Sequence, residues 1–313
     1  MQYRQLGKSG VRVSVIGLGT NRFGYDRMPQ DEVNRVMDAA LDLGINFLDS
    51  ADVYQGGRSE ETIGRALGNN RSRFVIATKY KSKTGDGPND TGASRYHLYD
   101  AVEASLRRLQ TDHIDLLYVH SWDETTPMDE MLRGLDDLVR AGKIRYIGAS
   151  NFLSWQLARA NTLAELRGWS PFVVTQEHYH MLERGMEREM LPYCRYSGTG
   201  LIPYFPLAGG FLTGKYQRGK PAPEGSRGES NPYVQKYMTD DNYTKVEKLS
   251  AFAQERGHTI GHLAHAWLLA KPEVSSVISG ATRLEQMQEN AKASDWALTA
   301  EEVKQVNEIL DVK

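Results

Sequence analysis

Cysteine is nearly missing. Cys194 is the only one in 313 residues, so no disulfide can form within the chain, and nothing ties it to an oxidising compartment. Long apolar runs are missing too: no stretch approaches the roughly 18 apolar residues of a membrane-crossing helix, so no membrane partner is expected. The first residues, "MQYRQLGKSGVRVSVIGLGT", lack the charged start and continuous apolar core of a signal peptide, and a soluble, cytoplasmic protein is expected. Excess charge of one sign is absent as well. With 38 Lys and Arg against 40 Asp and Glu, the formal net charge of -2 supplies no basic field for nucleic acid or anionic lipid.

Several familiar motifs are incomplete. "GLGTNR" offers G-x-G without the third glycine, which removes the Rossmann fingerprint. "GGFLTGKY" has the spacing of a phosphate-binding NTPase loop, but Tyr216 stands where a Mg²⁺-binding Ser or Thr is needed. "HTIGHLAH" spaces His258, His262 and His265 along a helix without the glutamate of a zincin, and reads as packing and surface. "QEHYH" puts His178 and His180 on one side of an extended segment near His120. This would suit a metal-dependent barrel hydrolase, but Lys79 in the same mouth would repel a dication.

What is present is a rhythm. Eight β-rich runs, from "VIGLG" near residue 15 through "INFLD", "RFVIATK", "IDLLYVH", "IRYIGAS", "FVVTQ" and "GLIPYF" to "VSSVIS" near 274, alternate with segments of helical spacing. In "DEVNRVMDAALDLG", Val33, Val36, Met37, Ala40 and Leu41 share one face. Gly44, Gly68 and Gly142 stand where a left-handed residue stops a helix before the next strand. Eight such units predict an α/β fold, a single (β/α)8 TIM barrel spanning residues 1–313. Residues 1–14 alternate around Gly-Lys-Ser-Gly and predict an added β-hairpin that could plug the barrel's bottom. Two polar insertions break the rhythm, one after the third strand (81–96) and a longer one after the seventh (217–240), and a loop of that length is disordered or functional.

Barrel enzymes place their chemistry where strands end at the C-terminal mouth. Asp49 ends strand two, Lys79 strand three and His120 strand four, and Tyr54 follows on a loop. Period-two alternation aligns Phe47 with Asp49, and Val75 and Ala77 with Lys79, so these polar tips face inward. A Lys79 ammonium would stabilise a Tyr54 phenolate, Asp49 would hold Lys79 charged, and His120 could bond the oxygen being protonated. The plainer alternative is a structural ion pair with a rim tyrosine and a satisfied histidine. Asp52 has no strand end to aim it and reads as a solvated or loop-capping acid.

"GINFLDSADVY", "ATK", "DLLYVH", "GASNF" and "PLAGGFLTGKY", in that order over nearly the whole chain, resemble the aldo-keto reductase superfamily, in a bacterial type related to the potassium-channel β-subunit branch. The resemblance implies a barrel that reduces small carbonyl substrates with NADP(H) and no metal, using Asp49, Tyr54, Lys79 and His120 as its tetrad. It further implies that Ser150, Asn151 and Gln176 hold the nicotinamide carboxamide, that Tyr204 stacks on the ring, and that Thr20 and Asn21 line the same cavity. Phe205, Pro206, Leu207, Gly209, Lys215 and Arg227 would follow the phosphates under a covering loop. Gly280, Thr282, Arg283, Gln286, Glu289 and Asn290 would take the adenosine end, where Thr282 and Glu285 have capping-box spacing and Arg283 favours a 2′-phosphate. Phe205 replaces a common serine and His180 a common Asn or Ser, departures that bear on substrate contacts. Phe23, Tyr25, Tyr80, Trp122 and Phe205 are placed by loop position to make an aromatic entrance. The alternative within this resemblance is a cofactor-binding regulatory or redox-sensing subunit with little turnover.

Overall fold

The computed structural model describes residues 1–26 and 28–310. Strands β1 (Tyr3–Gln5) and β2 (Arg12–Ser14) pair antiparallel with Tyr3 opposite Ser14. They form the expected hairpin, and its apolar residues point up into the barrel. Leu6 and Val13 are fully buried among Phe47, Ala77, Leu116, Tyr118, Val174, Ile202 and Ile278, so the ribbon closes the floor. Gly7 is required at this closure: it sits at φ 57°, and a Cβ there would lie 1.9 Å from the Val173 carbonyl oxygen.

Eight parallel strands follow and close on themselves. They are β3 (Ile16–Gly19), β4 (Phe47–Asp49), β5 (Val75–Tyr80), β6 (Ile114–Val119), β7 (Ile144–Ser150), β8 (Phe172–His178), β9 (Gly200–Tyr204) and β10 (Val277–Gly280), and β10 pairs with both β9 and β3. Each of the eight β-rich runs of the sequence supplies one. Around them lie α1 (Gln30–Asp42), α2 (Arg58–Leu67), α3 (Arg95–Leu109), α4 (Met128–Arg140), α5 (Ser154–Arg167) and α6 (Met190–Ser197). The long segment after β9 carries two single-turn helices, α7 (Arg227–Ser230) and α8 (Pro232–Gln235), and then α9 (Asp240–Gln254), α10 (Ile260–Leu269), α11 (Leu284–Lys292) and α12 (Ala300–Leu310) complete the chain.

Helix α1 buries Val33, Val36, Met37 and Ala40 as its spacing dictates, and Gly44 ends the turn at φ 76°. At Gly68 the expectation fails: the backbone leaves the left-handed well (φ 46°, ψ -126°), and a 3-10 turn over Gly68–Arg73 intervenes before β5.

The core has two compartments, and they fix which way each strand residue faces. Phe47, Ala77, Leu116, Tyr118, Val174, Ile202 and Ile278 pack inside the barrel, whereas Leu48, Ile76, Leu117 and Leu201 pack between strands and helices. Alternation then carries Asp49, Lys79, His120, Gln176 and Tyr204 toward the mouth. The same parity turns Tyr80 outward, where it is 1% exposed in the strand–helix layer beside His97, and Phe23 is likewise fully buried. Neither lines an entrance, which corrects that expectation: loop position gives a residue's address but not its depth.

Candidate active site

At the mouth, Lys79 is fully buried and its ammonium has three partners. Nζ donates to Asp49 Oδ1 at 2.6 Å, to the Ser50 carbonyl at 2.7 Å and to the Tyr54 hydroxyl at 3.3 Å. Asp49 is pinned on its other side, where Oδ2 accepts from Gln176 Nε2 at 2.7 Å. An ammonium in a dry site persists only when paired and fully bonded, and here it has a carboxylate, a carbonyl and a phenol. Burial pushes Lys79 down, but the Asp49 and Tyr54 interactions outweigh it, and its pKa is raised.

Tyr54 opens a 3-10 turn after β4, with its hydroxyl on Lys79 and its ring edge-on to His120 at 6.0 Å. Burial pushes its phenol above the ordinary range. The Lys79 ammonium pulls the other way without reversing the shift, and Asp49 adds to the rise. The expectation of an acidified phenol is therefore corrected for this structure: Tyr54 is firmly protonated, because desolvation and the nearby carboxylate outweigh the cation. His120 is pushed down to about 3 by burial, then by Lys79 and Lys81, so it is a neutral imidazole; its Nδ1 meets Ser82 Oγ at 3.3 Å.

Asp52 overturns its expectation. It is 3% exposed, both carboxyl oxygens are buried without a hydrogen-bond partner, and its own N–H donates to the Lys79 carbonyl at 3.1 Å. Burial, and then the charge of Glu60, raise it to about 8. Glu60 is itself fully buried, accepting from Thr78 Oγ1 at 2.5 Å and from Arg108 Nε at 2.7 Å. Glu60, on helix α2 behind these residues, was missed in the sequence. Its only signal is a glutamate on the apolar side of that helix.

The expected carboxamide holders are together but largely engaged with one another. Asn151, at a left-handed φ of 54°, gives Nδ2 to the His120 carbonyl at 3.1 Å and to Ser150 Oγ at 3.0 Å, and its Oδ1 accepts from the Tyr204 hydroxyl at 2.9 Å. That leaves Gln176 Oε1 and the Ser150 hydroxyl proton for an incoming amide. Thr20 is buried against the Asp49 carbonyl at 2.9 Å, and Asn21 follows it as an exposed rim residue. Tyr25 is 40% exposed, and Trp122 packs edge-on between Phe152 at 5.2 Å and Trp155 at 6.3 Å.

After β9 the chain turns sharply through Phe205 (φ 62°), buried Pro206, Leu207, Ala208 (φ 48°) and Gly209 (φ 68°). Lys215 folds back so that a Cβ on Gly210 would meet its Nζ at 2.7 Å, and its ammonium lies 5.1 Å from the Tyr216 ring. Arg227 lies over Phe205 at 6.0 Å; burial, and then the charge of Arg22, push its guanidinium down. Among the described residues, Arg22, Lys215 and Arg227 pair with no carboxylate. Arg22 and Arg227, half-buried, and the exposed Lys215 are cations without counterions that suit a polyanion, so the donor set fits the phosphates of a dinucleotide. Arg22 was missed in the sequence, though it directly follows Asn21.

At the far end, α11 begins at Leu284 with Arg283 as its exposed N-cap, and Gln286 Oε1 accepts from both the backbone N–H (2.9 Å) and hydroxyl (3.1 Å) of Thr282. Gln286 rather than Glu285 thus closes this cap, a correction with a simple cause: the helix starts one turn position later than the spacing suggests. Gly280 ends β10, Glu289 bonds Lys292 at 2.5 Å and His262 at 3.2 Å, and Asn290 is half-buried behind it. His178 and His180 are bonded to Tyr233 and Tyr237, and among the described residues no three His, Cys, Asp or Glu side chains converge on a metal position.

The chain is similar to known proteins along nearly its whole length. The chain is 38% identical over 320 residues to an uncharacterized oxidoreductase, YrpG, of Bacillus subtilis, covering 99% of this chain and 96% of that protein. It is 40% identical over 302 residues to a probable voltage-gated potassium channel subunit beta of Arabidopsis thaliana, covering 94% and 92%. It is 34% identical over 322 residues to an L-glyceraldehyde 3-phosphate reductase of Escherichia coli, covering 98% and 92%. Residues 15–311 match the sequence model of the Aldo/keto reductase family, and the chain belongs to that family.

Proposed function

We propose that the protein reduces an aldehyde or ketone to the alcohol with NADPH, and that Tyr54 delivers the proton. The observation that carries this reading is the buried Asp49–Lys79–Tyr54 chain at the barrel mouth, with the neutral His120 ring beside it. A bound dihydronicotinamide supplies the hydride. A carbonyl oxygen held by the Tyr54 hydroxyl and the His120 ring becomes an alkoxide as its carbon is reduced, and an alkoxide is basic enough to take even an unacidified phenol's proton. Lys79 then faces the phenolate at 3.3 Å, and this charge pair, formed in a dry site, is stronger than it would be in water. Asp49 and the Ser50 carbonyl keep the ammonium aimed while Tyr54 changes charge. His120, neutral across the working range, orients the oxygen by hydrogen bonding.

Tyr204, Ser150, Asn151 and Gln176 would hold the nicotinamide end, lined by Thr20 and Asn21. Phe205, Pro206, Leu207, Gly209, Lys215 and Arg227 would follow the phosphates. Gly280, Thr282, Arg283, Gln286, Glu289 and Asn290 would meet the adenosine, with Arg283 on its 2′-phosphate. The test is a panel of carbonyls, including nitrobenzaldehyde and L-glyceraldehyde 3-phosphate, assayed with NADPH and NADH, together with a fluorescence titration. Turnover with NADPH and quenching of protein fluorescence are expected, and Arg283→Ala should weaken NADPH by about tenfold while sparing NADH. Absence of any fluorescence change well above micromolar NADPH would reject the reading. A regulatory subunit is the second reading, since a relative named as a channel subunit is 40% identical. Cofactor retention without turnover on the whole panel would favour it, while the presence of His120 in a complete tetrad supports turnover.

A further inference from the structure

His178 is the inward residue at the top of β8, two positions beyond Gln176, and the chemistry above does not use it. Its ring stacks on Tyr204 with centroids 5.4 Å apart and planes 15° apart. Its Nδ1 lies 3.2 Å from the Tyr233 hydroxyl on α8, in the long segment after β9, and the two rings are 5.5 Å apart. Phe205 and His180 close the edges at 5.6 Å and 5.0 Å. His180 repeats the arrangement one layer deeper. Its Nδ1 accepts the Leu182 N–H at 3.2 Å, so the ring proton belongs on Nε2, which faces the Tyr237 hydroxyl at 3.2 Å. Lys236, over the rings of Tyr233 at 4.4 Å and Tyr237 at 4.8 Å, reaches Glu183 at 3.6 Å and fixes the same segment from outside.

Two consequences follow from this arrangement. Tyr204 is located by two constraints, its hydroxyl on Asn151 and one ring face on His178, so the direction of its other face is set by His178. The segment carrying Tyr233 is fastened to the same imidazole. Ring stacking stabilises Tyr204 beyond burial alone, and the hydrogen bond to the half-exposed Tyr233 adds a second link through the same imidazole. The segment therefore cannot lift without releasing the ring that anchors the platform.

We propose that His178 is a positioning residue that couples the segment bearing Tyr233 to the Tyr204 platform, so that nicotinamide seating and cofactor retention are set by one side chain; this rests on the reading of Tyr204 as the nicotinamide platform. Three variants separate its parts. Tyr233→Phe removes only the hydrogen bond, His178→Phe keeps an aromatic face for Tyr204, and His178→Ala removes both. Amide hydrogen exchange of residues 217–239 in the cofactor-free protein should rise in His178→Ala and Tyr233→Phe. In stopped-flow fluorescence, NADPH should leave His178→Ala about tenfold faster than wild type, equivalent to about 1.4 kcal/mol, with His178→Phe recovering part of the loss. The NADPH KM should follow the off-rate, while single-turnover reduction in the preformed Tyr233→Phe complex keeps its wild-type rate. Unchanged exchange over 217–239 in both His178→Ala and Tyr233→Phe would overturn the coupling whatever the cofactor does. Wild-type protein that binds no NADPH would instead overturn the cofactor reading, with the exchange result still reporting on the His178–Tyr233 link.

Discussion

Replacing Asp52 with asparagine should make the protein more stable, and increasingly so as pH rises. The carboxyl has both oxygens buried without a partner and keeps its proton up to about pH 8, against an ordinary value of 3.8. Below pH 4 the group is protonated in both folded and unfolded chains and costs nothing extra. Between pH 4 and 8 the unfolded chain ionises while the folded one stays neutral, so stability falls by about 1.4 kcal/mol per pH unit until the folded group ionises as well. Over the roughly three units from 3.8 to pH 7, the loss attributable to this side chain is on the order of 4 kcal/mol. Asparagine has the same shape and no ionisation, and the protonated acid it replaces is just as short of hydrogen bonds. Urea unfolding of both proteins at pH 5, 6, 7 and 8 measures the difference, which should widen from about 1–2 kcal/mol at pH 5 to several by pH 8. Two stability curves running parallel across that range would refute the reasoning, because a gap of constant size cannot come from a titrating group.

Tyr54→Phe should lower kcat by a factor on the order of 10² to 10⁴ with NADPH affinity retained, as measured by steady-state kinetics and fluorescence titration. The pH profile of kcat/KM should show no His120 inflection near 6.5, since that ring is held down to about 3; an inflection there that His120→Gln abolishes would contradict the neutral imidazole. Lys79→Met strands the buried Asp49 carboxylate and should cost about 3–5 kcal/mol in urea unfolding, most of it recovered when Asp49→Leu is added.

Barrel closure was legible in the rhythm of eight strand-and-helix units, and the direction of the mouth residues in parity: a polar residue ending an alternating apolar strand has one direction to face. Asp49, Lys79 and His120 are of this kind. Side chains whose environment comes from elsewhere in the chain were not legible. Asp52 looks like any loop acid until α2 and Glu60 cover it; Tyr80, by contrast, was within reach of parity, since it directly follows the inward Lys79 on β5. Arg22 and Arg227 are 205 positions apart, and nothing local in either says that their charges will meet. The cap at Thr282 failed for a subtler reason, since a glutamate three positions on and a glutamine four positions on can both close it, and only the backbone path chooses Gln286.

The ribbon under the barrel makes folding a question of timing. Leu6 and Val13 are synthesised long before their neighbours Ile202 and Ile278, and Arg4 donates to the carbonyls of Leu269 at 2.7 Å and Val274 at 2.8 Å. A nascent chain halted before residue 274 lacks both the closing strand and the Val274 acceptor. Leu6 and Val13 must therefore wait, apolar and unsheltered, until β10 has been made, and the barrel closes late through contacts of long sequence separation, the class that forms slowly.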